Sequence, residues 1–404
     1  MSAASLPTLK LKHGEDRRLR AGHLWVYSNE VDTAATPLTA FEPGGLAQVL
    51  DHRGQFVGYA YVNPATLIAA RIVSRAAAHP VDGGLFVERL RRARALRERL
   101  HPAPYWRWIY GESDGLPGLV LDRFGDLVVG QVATLGMERL KPLVEAAVRK
   151  VLGPAVFVWK NDSGARALEG LPAGFEVCWG EAPAELEVVE TLADGRGLRY
   201  RAALAEGQKT GWFYDQALNR ATLPRYLPRG ARVLDVCSYA GAWAVTALAA
   251  GAASATCVDA SQAALDACVA NGRANGFEVG VRRGDAFDVL AALAAEGERY
   301  DAVIVDPPAF IKRRKEFPQG LAAYRKLNQL ALRLLERDGL LVSCSCSMHL
   351  GGDDLLGAIQ GAARHVDRFV RLLQAGGQSP DHPVHPAIPE TRYLKAFFCH
   401  VDRD

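Results

Sequence analysis

The sequence predicts an α/β protein in which a small β-rich domain and a small central α+β domain precede a doubly wound parallel sheet. Two patterns lead to this prediction. Short apolar stretches punctuated by glycine and proline fill the N-terminal part, and strand-like and helix-like stretches alternate from about Gln208 onward. The length of 404 residues, too long for one ordinary core, independently favours two or three domains.

The N-terminal stretches are rich in apolar and β-branched residues, and turn residues such as Pro43-Gly44-Gly45 and Asn63-Pro64 separate them. Strands at this spacing predict a small barrel or sandwich, which we assign to residues 1–78. The predicted strands are Leu24–Val31, Leu46–Asp51, Phe56–Val62 and Leu67–Ser74.

A second, small α+β domain is predicted over residues 79–188. It begins with Leu85–Leu100, whose apolar residues recur at close to helical spacing, and strand-like stretches broken by glycine follow. A candidate hairpin, ELEVVE with GLRYRAAL, closes this domain or opens the next one. The remaining predicted elements are a helix near Leu140–Val151 and a strand at Val156–Lys160.

The third domain, residues 189–404, alternates buried strands with helices, which implies a parallel sheet covered by helices. Its predicted strands are Val233–Ser238, Ala255–Ser261, Val279–Phe287, Tyr300–Phe310, Gly339–Ser347 and Tyr393–Val401, and its predicted helices are Ala244–Gly251, Gln262–Gly276 and Leu321–Leu335.

The composition is that of a soluble globular protein, with 49% hydrophobic and 23% charged residues. No N-terminal stretch resembles a signal peptide and no apolar run is long enough to cross a membrane, so we expect a cytoplasmic protein whose seven cysteines are reduced. Residues 1–110 carry 15 Lys and Arg against 9 Asp and Glu, although the net charge of the whole chain is only +3. This basic part indicates either a polyanionic partner or simply soluble arginine-rich helices.

Acidic residues come after the apolar runs of four predicted strands, toward the strand ends where doubly wound folds bind ligands. They are Asp235, Asp259, Asp285 and Asp306. The loop that begins at Asp235 contains only Gly241, not the three glycines of a pyrophosphate-binding loop, which disfavours a nicotinamide or flavin nucleotide. Each aspartate alone is better explained by a helix N-cap, but their shared position favours one ligand, with Asp259 at a ribose and Asp285 near an adenine amino group.

Asp306-Pro307-Pro308 ends the fourth of these strands. Two prolines remove backbone donors and stiffen the loop, so the carboxylate or the adjacent carbonyls can face a planar base. The alternative is a stiff strand exit with a solvated Asp306. Because no His, Cys and Asp residues have zinc-ligand spacing, we predict no metal site.

Two cysteines, Cys344 and Cys346, stand at the end of another predicted strand. Residues i and i+2 share a face of a strand, so the two thiols cannot be equally exposed as the strand leaves the sheet. Cys346 lies further out and is the better candidate nucleophile, whereas Cys344 is expected in the core. The alternative is that both are small buried residues, which is our interpretation of the other five cysteines.

In order, the stretches DVCSYAGAW, CVDAS, GDAF, VDPPAF and SCSCS resemble those of class I S-adenosylmethionine-dependent RNA methyltransferases. Further stretches over nearly the whole chain, including GHLWVYSNEV, GESDGLPGLVLDRFGD, GQKTGWFYDQALNR and YLKAF, resemble the RlmI-type 23S rRNA cytosine-C5 methyltransferases. This resemblance implies a Rossmann-like class I methyltransferase domain after a PUA-type RNA-binding domain, with S-adenosylmethionine as the cofactor.

The resemblance also implies roles for individual residues. Cys346 would attack the target base, Asp306 would face that base, and KTGWFYDQ (Lys209–Gln216) would close over the cofactor. The implied cofactor-binding residues are Asp235, Ser238, Tyr239, Gly241, Asp259 and Asp285, with Tyr214, Asp215 and Arg220 as weaker candidates.

RNA affinity would come from charge combined with an aromatic stacking surface. For the basic run after DPPAF, the alternative is a solvated turn. The predicted RNA-binding residues are Lys12, Arg17, Arg18, Arg20 and Trp25 near the N terminus, and Lys312, Arg313, Arg314 and Lys315 in that run.

The implied reaction is methylation of carbon 5 of a cytosine in 23S rRNA, or in a large-subunit assembly intermediate, through a covalent cysteine adduct. A homodimer is consistent with the resemblance, and no membrane partner is expected. One alternative is an exocyclic-amino RNA methyltransferase, although Ala309 here separates the prolines from Phe310. Another is a non-catalytic RNA-binding or ribosome-assembly protein.

Overall fold

The structure, a computed structural model, describes residues 6–192 and 194–403. They form two compact units. The first unit runs to Ala184 and takes in two later segments, Ala203–Trp212 and Asp381–Thr391. The second comprises Glu185–Ala202, Phe213–Pro380 and the chain from Arg392 onward. The predicted division at residues 78 and 188 into three domains stays a prediction.

The first unit begins with a five-stranded sheet in the order β1-β3-β4-β5-β2. β1 pairs with β3 in parallel, and the other neighbours are antiparallel. All four predicted strands are present, but β1 and the short helix α1 (Asp16–Arg20) escaped prediction because three to five residues carry no clear periodicity. The strands are β1 Thr8–Lys10, β2 Trp25–Tyr27, β3 Gly45–Leu50, β4 Phe56–Val62 and β5 Ile68–Ser74.

The second sheet of this unit has the order β10-β9-β8-β7-β6 and is packed by large aromatic residues such as Trp106, Trp108 and Trp159. Tyr61 of the first sheet enters the same core, where its hydroxyl donates to Pro117 O at 2.9 Å. The strands are β6 Tyr105–Tyr110, β7 Leu119–Phe124, β8 Leu127–Val132, β9 Val156–Asn161 and β10 Gly174–Trp179, and the helices are α2 Gly83–Leu100, α3 Leu135–Arg139, α4 Lys141–Val151 and α5 Ala165–Leu168.

Hydrogen bonds from two buried arginines tie a late segment of the chain into the first unit. Arg97 binds Asp114 through two contacts of 2.7 Å, and its Nη2 also donates to Asp381 O at 2.9 Å. The carboxylate of Asp381 accepts from Arg107 N at 2.8 Å. These two hydrogen bonds from buried residues hold Asp381, and with it the start of the Asp381–Thr391 segment, within the first unit.

The second unit contains a seven-stranded sheet in the order β15-β14-β13-β16-β17-β19-β18, and a two-stranded sheet formed by β11 and β12. The strands are β11 Glu185–Thr191, β12 Gly197–Ala203, β13 Arg232–Val236, β14 Ser254–Asp259, β15 Gly280–Arg283, β16 Tyr300–Val305, β17 Leu335–Ser345, β18 Phe369–Gly376 and β19 Lys395–Asp402. The helices are α6 Ala217–Thr222, α7 Ala242–Ala249, α8 Gln262–Ala274, α9 Ala286–Ala295, α10 Phe317–Leu334 and α11 Gly352–His365.

The sheet of the second unit is not wholly parallel, contrary to the expectation from the sequence. Five strands are parallel, but β19 pairs antiparallel with both β17 and β18. A fully buried strand has a continuous apolar sequence in either direction, so the pattern predicts its existence but not its orientation. The unpredicted β18 lies at the sheet edge and is largely exposed.

Apolar residues pack on both faces of this sheet, which leaves the strand ends to carry polar groups. Leu234 and Val236 of β13 pack in a cluster with α10 and α11, whereas Val233 packs in a second cluster with α7 and α8. Among the described helices, none is long and apolar enough to cross a bilayer. All seven cysteines are free thiols, as expected, and the cytoplasmic location stays a prediction.

Candidate active site

A tight loop joins β13 to α7 and forms the floor of the candidate site. Cys237, Tyr239 and Gly241 have φ values of 63°, 49° and 75°. A side chain at Gly241 would place its Cβ 3.1 Å from the Cα and Cβ atoms of Cys268. Each non-glycine residue in this left-handed region costs about 1–2 kcal/mol, so the surrounding contacts must hold the loop in place.

Two of the predicted aspartates hold this loop. Oδ2 of Asp259 accepts a hydrogen bond from Tyr239 N at 3.0 Å, and its Oδ1 accepts one from Ser261 N at 2.9 Å. Oδ2 of the fully buried Asp235 accepts from Ala244 N in the first turn of α7 at 3.2 Å. Ser238 faces the sheet, because its hydroxyl donates to Val258 O at 3.3 Å. The structure therefore brings five predicted cofactor residues together at this loop, namely Asp235, Ser238, Tyr239, Gly241 and Asp259.

Asp306 lies beside the same loop. Its Oδ2 accepts hydrogen bonds from Gln216 Nε2 at 2.9 Å and from the indole of Trp243 at 3.2 Å. Burial raises the pKa of Asp306 to about 6, an effect that the Trp243 hydrogen bond opposes. We did not single out Gln216 and Trp243 from the sequence, although both stand in quoted motifs. The available signal was their position at the ends of the quoted stretches Lys209–Gln216 and DVCSYAGAW.

The site concentrates carboxyl groups around the loop. Burial raises the pKa of Asp235 to about 8, and the charges of Asp306 and Asp259 raise it further while Ala244 N lowers it. Among the described residues, Oδ1 of Asp235 has no hydrogen-bond partner. Burial, followed by the charges of Asp259, Asp306, Asp235 and Asp285, also raises the pKa of the Cys237 thiol. An orphaned buried acceptor among several carboxylates suits a positively charged ligand with N–H donors.

Asp285 occupies a different environment from the other three aspartates. It is exposed and is the N-cap of α9, where its Oδ1 accepts from Phe287 N at 2.8 Å. The predicted strand through Phe287 in fact ends at Arg283, because this cap starts a helix. The helix cap explains why an aspartate stands here, and the adenine contact stays a prediction.

The weaker cofactor candidates are buried and engaged in contacts within the second unit. Arg220 forms an ion pair with Glu190 on β11, through Nε to Oε2 at 2.8 Å, and also donates to Phe213 O at 2.9 Å. Asp215 accepts from the hydroxyl of Tyr393, and Tyr214 is almost fully buried. The predicted closing segment crosses the unit boundary, since Trp212 belongs to the first unit and Phe213 to the second.

The two thiols differ as their spacing predicts. Cys344 is completely buried in β17, and burial raises the pKa of its thiol well above the ordinary value. Cys346 follows the end of β17 and is half-buried, with Sγ 3.9 Å from Pro307 O. The cysteine motif and the Asp306-Pro307-Pro308 motif therefore meet in space.

A hydrogen-bond network fixes the turn that carries Cys346. The hydroxyl of the fully buried Tyr324, on α10, lies 2.9 Å from Oγ of both Ser345 and Ser347. Oγ of Ser347 also accepts from Ile311 N at 3.1 Å, which attaches the loop after Pro308 to the same turn. Tyr324 was not predicted as a site residue, because it is 21 or more positions from either serine.

The predicted RNA-binding residues fall into two groups. In the first unit, Arg18 pairs with Glu30 at 2.6 Å, Arg20 pairs with Asp16 and Asp51, and the indole of Trp25 donates to Glu112. Lys12 is exposed and donates to Asn29 O, while Arg17 is exposed. In the second unit, Lys312, Arg313, Arg314 and Lys315 are all exposed, and within the described part of the chain none of the four forms an ion pair.

One group of metal-type ligands occurs outside this site. Glu145, Glu176 and Cys178 offer ligand atoms that all lie within 4.8 Å of one another in the described residues. Hydrogen bonds engage both carboxylates, since Glu145 accepts from Trp159 Nε1 at 2.9 Å and Glu176 accepts from Lys141 Nζ at 2.6 Å. The group is therefore a surface polar cluster, and we assign no metal to it.

Two family descriptions match the chain. Residues 9–75 match a PUA-like domain, and residues 175–396 match an S-adenosylmethionine-dependent methyltransferase. Among similar proteins, the Ribosomal RNA large subunit methyltransferase I of Erwinia tasmaniensis is 34% identical over 97% of this chain and 99% of its own length. The protein of the same name from Cronobacter sakazakii is 32% identical over 97% of this chain and 99% of its own length.

Solved structures share the fold over nearly the whole chain. The crystal structure of SMU.776, complexed with SAH, superposes with a TM-score of 0.82 at 20% identity and covers 98% of this chain and 100% of its own. A second structure, from Streptococcus mutans, superposes with a TM-score of 0.81 over the same shares at 20% identity. At this identity the similarity establishes the fold.

Proposed function

The chain belongs to the S-adenosylmethionine-dependent methyltransferase family, and it is over 30% identical along nearly its full length to proteins named Ribosomal RNA large subunit methyltransferase I. From this family and from the geometry of the site, we propose that it methylates carbon 5 of a cytosine in large-subunit (23S) rRNA. Its similarity to these relatives supports the general activity, S-adenosylmethionine-dependent methylation of large-subunit rRNA. The choice of cytosine as the target base and the covalent role of Cys346 are proposed in addition to that general activity.

The loop after β13 fits the cofactor. S-adenosylmethionine supplies an electrophilic methyl group on a positively charged sulfonium. The orphaned Oδ1 of Asp235 is an acceptor for an ammonium or amide donor, and Asp259 retains lone pairs for a ribose hydroxyl beside its two backbone contacts. The surrounding carboxylates favour a cation in this position. Asp235, Tyr239, Gly241 and Asp259 are thus the residues proposed to hold it.

The target chemistry needs a nucleophile because carbon 5 of cytosine is too electron-poor to accept a methyl group unaided. In the proposed reaction the Cys346 thiolate adds to carbon 6, and the displaced electron pair makes carbon 5 nucleophilic. Carbon 5 then takes the methyl group, a base removes the carbon 5 proton, and cleavage of the carbon–sulfur bond restores both the aromatic ring and the thiolate. No residue is assigned as that base.

Asp306 is proposed to stabilise charge at N3 of the base while the adduct exists. A carboxyl with a pKa of about 6 is protonated in about a tenth of the molecules at pH 7. That proton can be shared with N3 of the base as negative charge develops there. Gln216 and Trp243 hold the carboxyl through Oδ2. Gln216 and Trp243 therefore position the carboxyl of Asp306 and do not contact the target base themselves.

The observation that carries the proposal is the position of the Cys346 thiol. It lies against Pro307 O at 3.9 Å at the margin of the site, whereas its neighbour Cys344 is sealed in the core. A half-exposed thiol next to the proposed base-facing loop supports chemistry at carbon. The alternative, methylation of an exocyclic amino group, would need only Asp306-Pro307-Pro308 and would leave this thiol unused.

RNA contact in the second unit is proposed for the basic run Lys312–Lys315. The run begins directly after Ile311, whose N–H binds the turn that carries Cys346, and its four cations are exposed. In the first unit, the PUA-like match supports RNA binding. Arg17 and Lys12 are the exposed predicted residues there, while Arg18, Arg20 and Trp25 also serve internal contacts. Whether the substrate is free 23S rRNA or an assembly intermediate, and whether a homodimer forms, stay predictions.

The test is mass spectrometry of nucleosides from large-subunit rRNA of cells that lack the gene, after incubation with the protein and S-adenosylmethionine. We expect new 5-methylcytidine with the wild-type protein and with Cys344→Ala, the matched control. We expect none with Cys346→Ala, while S-adenosylhomocysteine binding is retained. A methylated purine, or full activity of Cys346→Ala, would contradict the proposed chemistry.

A further inference from the structure

A buried lysine lies beside the turn that carries Cys346. Lys395, the first residue of β19, is only 8% exposed. Its Nζ donates to Ser347 O at 2.6 Å and to Tyr393 O at 2.8 Å. Among the described residues no ion pair joins it to a carboxylate. Burying an ammonium group without a counter-charge costs free energy. A neighbouring group that becomes negatively charged during the reaction would therefore stabilise Lys395.

The thiol of Cys346 is the group that the geometry offers. Lys395 pairs directly with Ser345 in the register of β17 and β19, and its Nζ binds the carbonyl of Ser347. Cys346 stands between these two residues. The electrostatic influence of Cys346 on Lys395 is the largest one that favours the charged ammonium, against the effect of burial.

We propose that Lys395 is the counter-charge of the Cys346 thiolate and thereby keeps the nucleophile in its reactive form. The role rests on the proposed function in taking Cys346 as the nucleophile, but it does not depend on which RNA is methylated. Lys395 acts through the thiol, so it is a positioning residue.

The charge balance follows each step of the proposed reaction. The Cys346 thiol releases its proton to solvent, and the thiolate is stabilised by the ammonium of Lys395. When the sulfur bonds to carbon 6 it loses its negative charge, and the ammonium is again without a partner. This favours return of the electron pair to sulfur when the carbon–sulfur bond breaks. The lysine keeps its proton throughout.

Other charged and titratable groups face this pair from several elements. The charge of Arg392 lowers the pKa of Lys395, and that of Asp354 on α11 raises it. Burial is the main cause and lowers the pKa to about 8, so the ammonium is charged at pH 7. Tyr324 and Cys344 are the titratable groups that sense Cys346 from α10 and β17.

The experiment measures the rate of alkylation of Cys346 by iodoacetamide as a function of pH. It uses the full chain without RNA or cofactor and follows the Cys346 peptide by mass spectrometry. For the wild-type protein we expect the half-maximal rate at a pH below about 8.5, the value for free cysteine. For Lys395→Gln we expect the midpoint to rise by about one pH unit or more. Lys395→Arg, which keeps the charge, should stay within a few tenths of a unit.

The matched control is Lys326→Gln, which removes an exposed lysine of α10 in the same unit and should leave the midpoint unchanged. An unchanged midpoint in Lys395→Gln, or an equal rise in Lys395→Arg, overturns the proposal. If Lys395→Gln does not fold, the pH dependence of alkylation of the wild-type protein still tests the proposal. A wild-type midpoint at or above that of free cysteine also overturns the proposal.

The outcome is separable from that of the nucleoside assay. A lowered wild-type midpoint that depends on Lys395, without any 5-methylcytidine, supports the lysine–thiolate pair and rejects the proposed reaction. Formation of 5-methylcytidine that requires Cys346, with a midpoint independent of Lys395, supports the reaction and rejects this role for Lys395.

Discussion

At the scale of single residues, four aspartates in equivalent sequence positions have different environments. Asp285 is an exposed helix cap, Asp259 bridges two backbone N–H groups, and Asp235 is sealed with an orphaned oxygen. The sequence predicts that each lies toward the carboxyl end of a strand. It does not predict burial, which depends on the elements packed above each strand end. Burial is what raises the pKa of Asp235 and of Asp306.

The pKa of Asp235 makes a prediction about stability. Its pKa of about 8 in the folded chain exceeds the value of about 3.9 expected when unfolded, so the folded state holds a proton that the unfolded state releases. The contribution to stability is therefore present below about pH 4 and is lost as the pH rises toward about 8. We expect the thermal midpoint of the protein without ligand to fall less between pH 5 and pH 7.5 in Asp235→Asn than in the wild type.

Asp285→Asn is the control for this measurement. Asparagine caps a helix about as well as aspartate, and Asp285 is exposed, so its replacement should leave the pH dependence as in the wild type. Equal pH dependence of Asp235→Asn and the wild type would show that Asp235 is already ionised in the folded protein.

At the scale of elements, helix α10 determines the geometry of a turn that it does not adjoin in sequence. The apolar periodicity of Leu321–Leu335 predicted the helix correctly, although it begins earlier, at Phe317. That pattern explains why Tyr324 is buried but not that its hydroxyl bridges Ser345 and Ser347. A hydrogen bond between elements depends on how the helix lies across the sheet, and the sequence of the helix alone does not contain that information.

This bridge predicts the effect of Tyr324→Phe. Losing the hydroxyl frees two serine side chains and loosens the turn that carries Cys346. We expect kcat for methyl transfer to fall about tenfold or more, since small misplacements of reacting groups have effects of that order. Binding of S-adenosylhomocysteine, measured by calorimetry, should stay unchanged because the loop after β13 is not touched.

Tyr61→Phe provides the matched control, since it removes a buried tyrosine hydroxyl with two hydrogen bonds in the first unit. Each variant should lose about 1–3 kcal/mol of stability. A similar loss of kcat in both variants would mean that Tyr324 acts only through stability.

At the scale of the whole molecule, the surplus of positive charge is distributed unevenly along the chain. The N-terminal 110 residues carry a basic surplus, but several of those cations pair with carboxylates inside the first unit. The four cations of Lys312–Lys315 lie in the other, nearly neutral part of the chain and are exposed. Local contacts therefore decide which positive charges are available to a polyanion, and the overall net charge does not.

The availability of that run predicts how RNA affinity depends on salt. Each phosphate contact contributes about 0.7 to the slope of log K against log salt for single strands. We expect Lys312→Gln/Arg313→Gln to weaken RNA binding and to reduce the slope by about 1.4, measured by fluorescence anisotropy with a large-subunit rRNA fragment.

Arg273→Gln/Arg282→Gln removes the same charge from arginines that are ion-paired with Glu278 and Glu296 in the same unit. It should change the slope little. Equal slopes for the two double variants would assign the run to a solvated turn.

The sequence by itself determined most of the strands and helices, the polar residues at the strand ends, and the different exposure of Cys344 and Cys346. The elements follow from periodicity over a few residues, and the two thiols differ because the strand that carries Cys344 ends at Ser345, before Cys346. Only the tertiary structure decided the antiparallel direction of β19, the place of Asp381–Thr391 in the first unit, and the contacts of Tyr324 and Lys395 with the turn at Cys346. These depend on contacts between residues far apart in the chain, and local patterns do not encode them.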